Sequence, residues 1–131
     1  MELNKDCVRD VLLSCEELLK MDEDGYMNSL SHEELEQVLP NYKTEGIIYT
    51  VVKLKEAGFL DVKVTRASGN ILVDVRVYDI TFNGHEFLND IRDDDNWKKV
   101  KDISKSVGAF SINMIAQIAI GVIQANISAL M

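Results

Sequence analysis

Apolar residues recur every three or four positions from Leu3 to Met21, with charged residues between them. This spacing predicts an amphipathic helix with one buried face, and Asn4 is placed to cap its first turn. Ser31 and Glu34 have the spacing of a capping box, which predicts a short second helix that runs to Leu39. The apolar positions of the first helix are Val8, Val11, Leu12, Cys15, Leu18 and Leu19.

A third helix is predicted from Asn41, as its N-cap, to Gly58, where the chain leaves the helical pattern. Helical spacing assigns one set of side chains to its inner side: Ile47, Ile48, Val51, Val52 and Leu54. The remaining positions are expected to face outward: Glu45, Tyr49, Thr50, Lys53 and Glu56.

Two β-branched segments, 61–65 and 71–78, alternate between apolar and polar residues. They flank a turn that contains Gly69 and Asn70, so the pattern predicts a β-hairpin. Either Thr81 or Asn83 then starts a helix that covers 84–92. Helical spacing continues or restarts beyond it, as far as Val107.

This order of elements predicts an α+β fold, a winged helix-turn-helix with a three-helix core and a β-hairpin wing, followed by additional C-terminal helices. We assign residues 1–92 to the winged-helix domain. Residues 93–131 form a C-terminal helical extension that is expected to pack on the same domain.

The last segment carries no charged side chain after Lys105. Its length would permit a membrane span, but polar residues recur along one helical stripe: Asn113, Gln117, Gly121, Gln124 and Ser128. Buried amides are costly in hydrocarbon, so the pattern favours a helix packed on the domain, with no membrane span. Part of its apolar face is a candidate association surface shared with a second copy or another protein, at Phe110, Met114, Ile118 and Val122.

The charge is unevenly distributed along the chain. The net charge is −8, and residues 1–42 account for all of it, with eleven acidic residues against three basic ones. Such an uneven charge distribution produces an electrostatic field that steers the approach of charged partners. Glu33, Glu34 and Glu36 are a candidate acidic surface for a protein partner.

The residues do not form the pattern of a catalytic or metal site. Cys7 and Cys15 lie about 12 Å apart along one helix, too far for a disulfide, which indicates reduced thiols and a cytoplasmic protein. His32 and His85 have no cysteine nearby, and the acidic run 93–95 lacks the order of a calcium loop. We therefore expect no enzyme activity, no cofactor, no metal and no small-molecule substrate.

Three segments together resemble a known family. They are Cys7 to Leu13, Tyr49 to Leu60, and Ile80 to Arg92 followed by the Trp-Lys-Lys-Val-Lys run of residues 97–101. They are similar to domain-of-unknown-function family 2513, whose members are small winged-helix proteins of phages, prophages and low-GC bacteria. The resemblance covers essentially the whole chain. It implies a winged-helix fold, a phage-related origin and a bacterial host cytoplasm, and no activity or site residue.

Two binding roles follow. The first is a module that binds a protein, such as a host or defence factor, through an acidic or apolar helical surface. The alternative is a sequence-specific DNA-binding transcriptional regulator that acts as a dimer. Its nucleic-acid face would comprise Lys43, Tyr49, Thr50, Lys53, Lys63, Arg66 and Arg76. The acidic balance favours the first role, because affinity for DNA depends largely on neutralised phosphates.

Overall fold

The computed structural model describes residues 1–131 and contains six helices and a three-stranded antiparallel sheet. The predicted α+β class is therefore confirmed. The helices are α1 (Lys5–Leu18), α2 (His32–Val38), α3 (Thr44–Glu56), α4 (Phe82–Ile91), α5 (Asp94–Val107) and α6 (Ile112–Leu130). The strands are β1 (Leu30–Ser31), β2 (Leu60–Ala67) and β3 (Ile71–Ile80), in the spatial order β1-β3-β2.

The predicted caps of the first two helices are confirmed. The Asn4 side chain accepts a hydrogen bond from the backbone N–H of Cys7 at 3.1 Å. The Ser31 hydroxyl accepts from the Glu34 backbone N–H at 3.2 Å, and the Glu34 carboxylate accepts in return from the Ser31 N–H at 3.3 Å. Each contact satisfies a backbone donor that the first helical turn leaves free.

The predicted start of α3 is wrong. Its N-cap is Lys43, which makes no side-chain capping bond, and Asn41 lies two residues earlier. The intervening Tyr42 explains the shift. Its backbone N–H donates to the Leu39 carbonyl at 3.2 Å, and its hydroxyl donates to the Asp10 carboxylate on α1 at 2.6 Å. These two bonds hold the segment in a turn, so the helix begins after it.

The predicted hairpin is confirmed: β2 and β3 pair antiparallel around a turn in which Gly69 and Asn70 both have positive φ. The pairing register shifts twice, and these irregularities leave Val73 and Tyr78 without a paired residue on β2. Each unpaired residue on β3 reverses the alternation of buried and exposed side chains in the residues that follow it. Both side chains are exposed, and the buried series Val75, Val77 resumes at Ile80.

Strand β1 was not predicted, because two residues carry too little pattern. It pairs with β3 through Leu30 opposite Val77 and Ser31 opposite Arg76. The His32 ring continues this edge, since its Nδ1 accepts a hydrogen bond from the Val75 backbone N–H at 3.3 Å.

The C-terminal part is three separate helices. Thr81 is the N-cap of α4, with its hydroxyl accepting from the Gly84 N–H at 3.0 Å, so of the two predicted starts Thr81 is the observed one. Helix α5 restarts with Asp93 as its cap and ends at Gly108. Helices α5 and α6 contribute to the same cluster of 25 buried residues as the sheet and α1–α4.

Candidate interaction surfaces

The outward face of α3 carries three of the residues predicted to contact nucleic acid. Lys43 is exposed at the start of the helix and makes no ion pair. Lys53 donates to the Glu56 carboxylate at 2.8 Å, a hydrogen bond that raises the pKa of Lys53, and its ammonium lies 5.4 Å from the ring centre of half-buried Tyr49. Glu56 therefore offsets the charge that Lys53 could offer to a phosphate.

The prediction that Thr50 faces outward is wrong. Its side chain is 1% exposed and belongs to the buried face of α3 between Ile47, Val51 and Leu54. Its hydroxyl donates to the Gly46 carbonyl one turn earlier, at 2.8 Å. Because the hydroxyl is satisfied inside the helix and shielded from solvent, Thr50 cannot contact a base or a phosphate.

The hairpin carries the other predicted cations. Lys63 lies opposite Arg76 on the neighbouring strand. Arg76 is half-buried: it donates to the Ser29 hydroxyl at 3.0 Å, and its Nε lies 3.8 Å from a carboxylate oxygen of Asp74. Arg66 and Lys63 are exposed and form no ion pair, so they are the available positive charges of the hairpin.

A groove of about 330 Å³ runs beside the outward face of α3. It is bounded by Leu3, by Tyr49, Lys53, Glu56 and Ala57 of α3, and by the segment from Phe110 to Asn113 at the start of α6. Phe110 is 68% exposed, and the Lys5 ammonium lies 5.1 Å from its ring centre. Any partner that reaches Tyr49 and Lys53 therefore meets an apolar ring as well. The sequence did not indicate this groove, because its walls lie far apart along the chain.

The predicted acidic surface on α2 is smaller than its residues suggest. Glu33 is exposed, but the Glu34 carboxylate is committed to the capping box with Ser31. Glu36 is half-buried, and one of its carboxylate oxygens is enclosed without a hydrogen-bond partner. Glu33 alone of the three neither caps the helix nor has an enclosed oxygen, and its carboxylate lies 4.0 Å from His32 Nε2.

The predicted association helix is exposed only in part. Phe110 and Met114 are 68% and 49% exposed, and Ile118 is half-buried. Val122 is only 7% exposed and belongs to the core, because it follows Ile115 and Ala119 on the face that packs against the domain; its assignment to an outer surface is wrong. The predicted polar stripe from Asn113 to Ser128 does face solvent.

Apolar surface lies on both sides of that polar stripe. On one side, a hollow of about 400 Å³ lies between α5 and α6, lined by Lys99, Ile103, Ile118, Gly121, Val122, Ala125 and Asn126. On the other side, Ile120 and Ile127 are about half exposed, at 48% and 53%. By length and mean hydropathy (1.4) α6 also qualifies as a candidate membrane span, and 22% of its apolar window is buried within the protein.

The two cysteine thiols and the His32 imidazole lie in surroundings typical of residues that support the fold. Cys7 and Cys15 are both free and buried, and burial raises the pKa of each, that of Cys15 to about 12. Such thiols are poor nucleophiles at neutral pH. The His32 ring accepts a hydrogen bond from the backbone of β3. No three His, Cys, Asp or Glu side chains converge as a group that could hold a metal ion.

Comparison with known proteins identifies the family of this chain. No curated protein and no solved structure matches the chain. The family model described as "Hypothetical protein (DUF2513)" matches residues 2–111, which include every element from α1 to α5 and end at Ser111, the N-cap of α6. The match covers most of the chain and agrees with the resemblance seen in its sequence. The chain therefore belongs to the family of hypothetical proteins DUF2513.

Proposed function

We propose that this chain is a non-catalytic winged-helix protein that acts as an interaction or regulatory module and binds a protein partner through the surface of α5 and α6. The winged-helix assignment is supported by the element order helix, strand, helix, helix, strand, strand and by the sheet order β1-β3-β2. Residues 93–131 extend this unit with two helices.

The observation that carries the proposal is the absence of charge on a solvent-exposed helix. No ionisable side chain follows Lys105, yet Met114, Ile120 and Ile127 are each about half exposed. Solvated helix surfaces normally carry charged residues, and apolar residues clustered on a surface mark contact sites. The α5–α6 surface is therefore the part of the molecule best suited to contact a protein.

The outward face of α3 also favours a protein partner over DNA. Of its predicted DNA-contacting residues, Thr50 is buried and Lys53 is paired with Glu56. Lys43, Lys63 and Arg66 remain free, against a net charge of −8. Binding to duplex DNA depends on neutralising several phosphates, which these few cations do poorly.

The alternative, a dimeric DNA-binding regulator, is favoured by one observation: exposed Lys63 and Arg66 lie on the hairpin that would form the wing. In either role we place the protein in the cytoplasm of a bacterial host cell, which suits two unpaired cysteines. A host or defence protein is the partner that a phage-related origin would imply.

Affinity capture with matched variants tests the proposal. Met114→Glu introduces a charge on the α5–α6 surface, whereas Lys63→Glu changes charge on the hairpin. We expect the first variant to lose a protein partner that the wild type and the second variant retain. Loss of binding to random duplex DNA at low salt by Lys63→Glu, with no effect of Met114→Glu on any partner, would favour the regulator instead.

A further inference from the structure

Gly121 has no structural reason to be glycine within a single chain. It lies in the middle of α6 on the solvent side, and a Cβ built on it would meet no atom within 4 Å. It is not among the glycines with positive φ. Glycine inside a helix costs roughly 0.5–1 kcal/mol relative to alanine. The residue therefore weakens the helix and gains nothing inside the molecule.

Four solvent-facing polar residues around Gly121 are arranged symmetrically along the helix. Gln117 and Gln124 lie equally far from the point between residues 120 and 121, and so do Asn113 and Ser128. A two-fold axis at this point would bring Gln117 of one copy opposite Gln124 of another in an antiparallel pair. A side-chain amide carries both donors and an acceptor, so it can pair with another amide, whereas lysine or glutamate cannot pair with its own kind.

We infer that the outer face of α6 binds the same face of a second copy, with the two helices antiparallel and crossing at Gly121. This inference rests on the proposed function: it uses the same α6 surface and assigns to it a second copy of the chain instead of a host or defence protein. Two copies that each carry a net charge of −8 repel one another. The segment after Lys105 has no charged side chain, so two copies can approach through it without bringing like charges together. A charge-free, amide-lined face is complementary to itself.

The apolar flanks fit the same arrangement. The two-fold axis keeps each apolar flank on its own side of the interface, so the side that carries Met114 and Ala125 in one copy faces the same side of the other. The hollow beside Gly121 and Ala125 is then available to the partner's exposed side chains. The absence of a side chain at Gly121 lets the two backbones approach closely, as small residues do at helix crossings.

The expected dimer is weak. A helix of 19 residues is about 28 Å long and about 10 Å across, so its outer half presents only some hundreds of Å². Specific interfaces commonly bury about 800 Å² per partner, and smaller ones are usually transient. The dimer should therefore be reversible and depend on protein concentration.

Sedimentation equilibrium on the full chain over a wide concentration range tests the inference. We expect the wild type to pass from monomer to dimer, and Gly121→Leu to weaken the dimer at least about tenfold, or about 1.4 kcal/mol. Gly121→Ala should raise the thermal stability of the monomer and weaken the dimer. Gly46→Ala is the matched control: it is also a helical glycine with open space at Cβ, and it should leave association unchanged.

Two results would overturn the inference: a wild type that stays monomeric, or a Gly121→Leu variant that dimerises as well as wild type. Either leaves the proposed function standing if Met114→Glu still loses a captured protein, whereas flotation of a monomeric wild type with phosphatidylcholine vesicles would make a lipid surface the occupant of the face. Loss of that capture effect alongside an intact, Gly121-dependent dimer would show that the module binds only itself.

Discussion

Asp6 on α1 accepts a hydrogen bond from the indole Nε1 of Trp97 on α5, at 2.9 Å across 91 positions of sequence. The same carboxylate oxygen accepts from the Lys101 ammonium at 3.0 Å. Trp97 is 4% exposed, so Asp6 satisfies the one polar atom of a buried ring. This contact joins the first helix to the C-terminal extension, whose α6 carries the proposed interface.

Asp6→Asn should lower the free energy of unfolding by about 1 kcal/mol at pH 7, since the loss of a charged hydrogen bond is reduced by solvent screening at a half-exposed carboxylate. Burial raises the pKa of Asp6, but the bonds from Trp97 and Lys101 outweigh it and hold the pKa below 3.8. The stabilisation is therefore present above pH 3.8 and is lost as the pH falls through the lowered value. Urea unfolding at pH 7 and pH 3 measures this, with Asp102→Asn as control; an equal loss at both pH values would contradict it.

Asp90→Asn, in contrast, should raise the free energy of unfolding at pH 7. Burial, and then the nearby charge of Glu86, raise the pKa of Asp90 above 3.8. Its negative charge therefore opposes folding at pH 7, and this effect disappears as the pH falls below 3.8 and the carboxyl is protonated in both states. We expect the variant to be more stable by about 0.5 kcal/mol at pH 7 and unchanged at pH 3. Lower stability at pH 7 in urea unfolding would count against this assignment.

Gly84→Ala should destabilise the fold by about 3 kcal/mol or more. An added Cβ would lie 2.0 Å from the Phe59 carbonyl oxygen and 2.8 Å from Cγ2 of Ile80. The carbonyl cannot move freely, because it accepts a hydrogen bond from the Thr81 N–H at 3.1 Å. Thermal unfolding followed by circular dichroism measures the change, and wild-type stability would show that α4 does not pack this closely on the backbone of Phe59.

Two buried serines should respond differently to alanine. Ser31 caps α2 and pairs with Glu34, so Ser31→Ala should cost about 1 kcal/mol. The Ser104 hydroxyl is fully buried on α5 and has no hydrogen-bond partner, so Ser104→Ala should be neutral or stabilising. Urea unfolding compares the two variants, and a larger loss at Ser104 would reveal a partner for its hydroxyl.

Local chemistry was predictable from sequence where neighbouring residues decide the outcome. The capping box of Ser31 and Glu34 and the Gly69–Asn70 turn depend on contacts within a few residues, as does the start of α4, where Thr81 was one of two predicted caps. The start of α3 was missed because the bond from Tyr42 to Asp10 joins residues 32 apart. Strand β1 was missed because two residues acquire their conformation from pairing with β3.

The candidate surfaces were harder to predict, since the width of a buried helical face depends on how many elements cover it. Helix α3 packs against α1, α2 and the sheet, so its buried arc extends to Thr50. Helix α6 packs on both α4 and α5, which buries Val122. The polar stripe was predictable because its members share one narrow side of the helix.

Two-dimensional amide NMR spectra of the isotope-labelled full chain distinguish protein contact through α6 from DNA contact through α3 and the hairpin. Spectra would be recorded over a dilution series and again with a random DNA duplex at low salt. We expect concentration-dependent shifts along residues 113–128 and no shifts at Lys43, Lys63 or Arg66 on addition of DNA. Shifts at those three residues with DNA, together with a concentration-independent α6, would refute protein contact through α6.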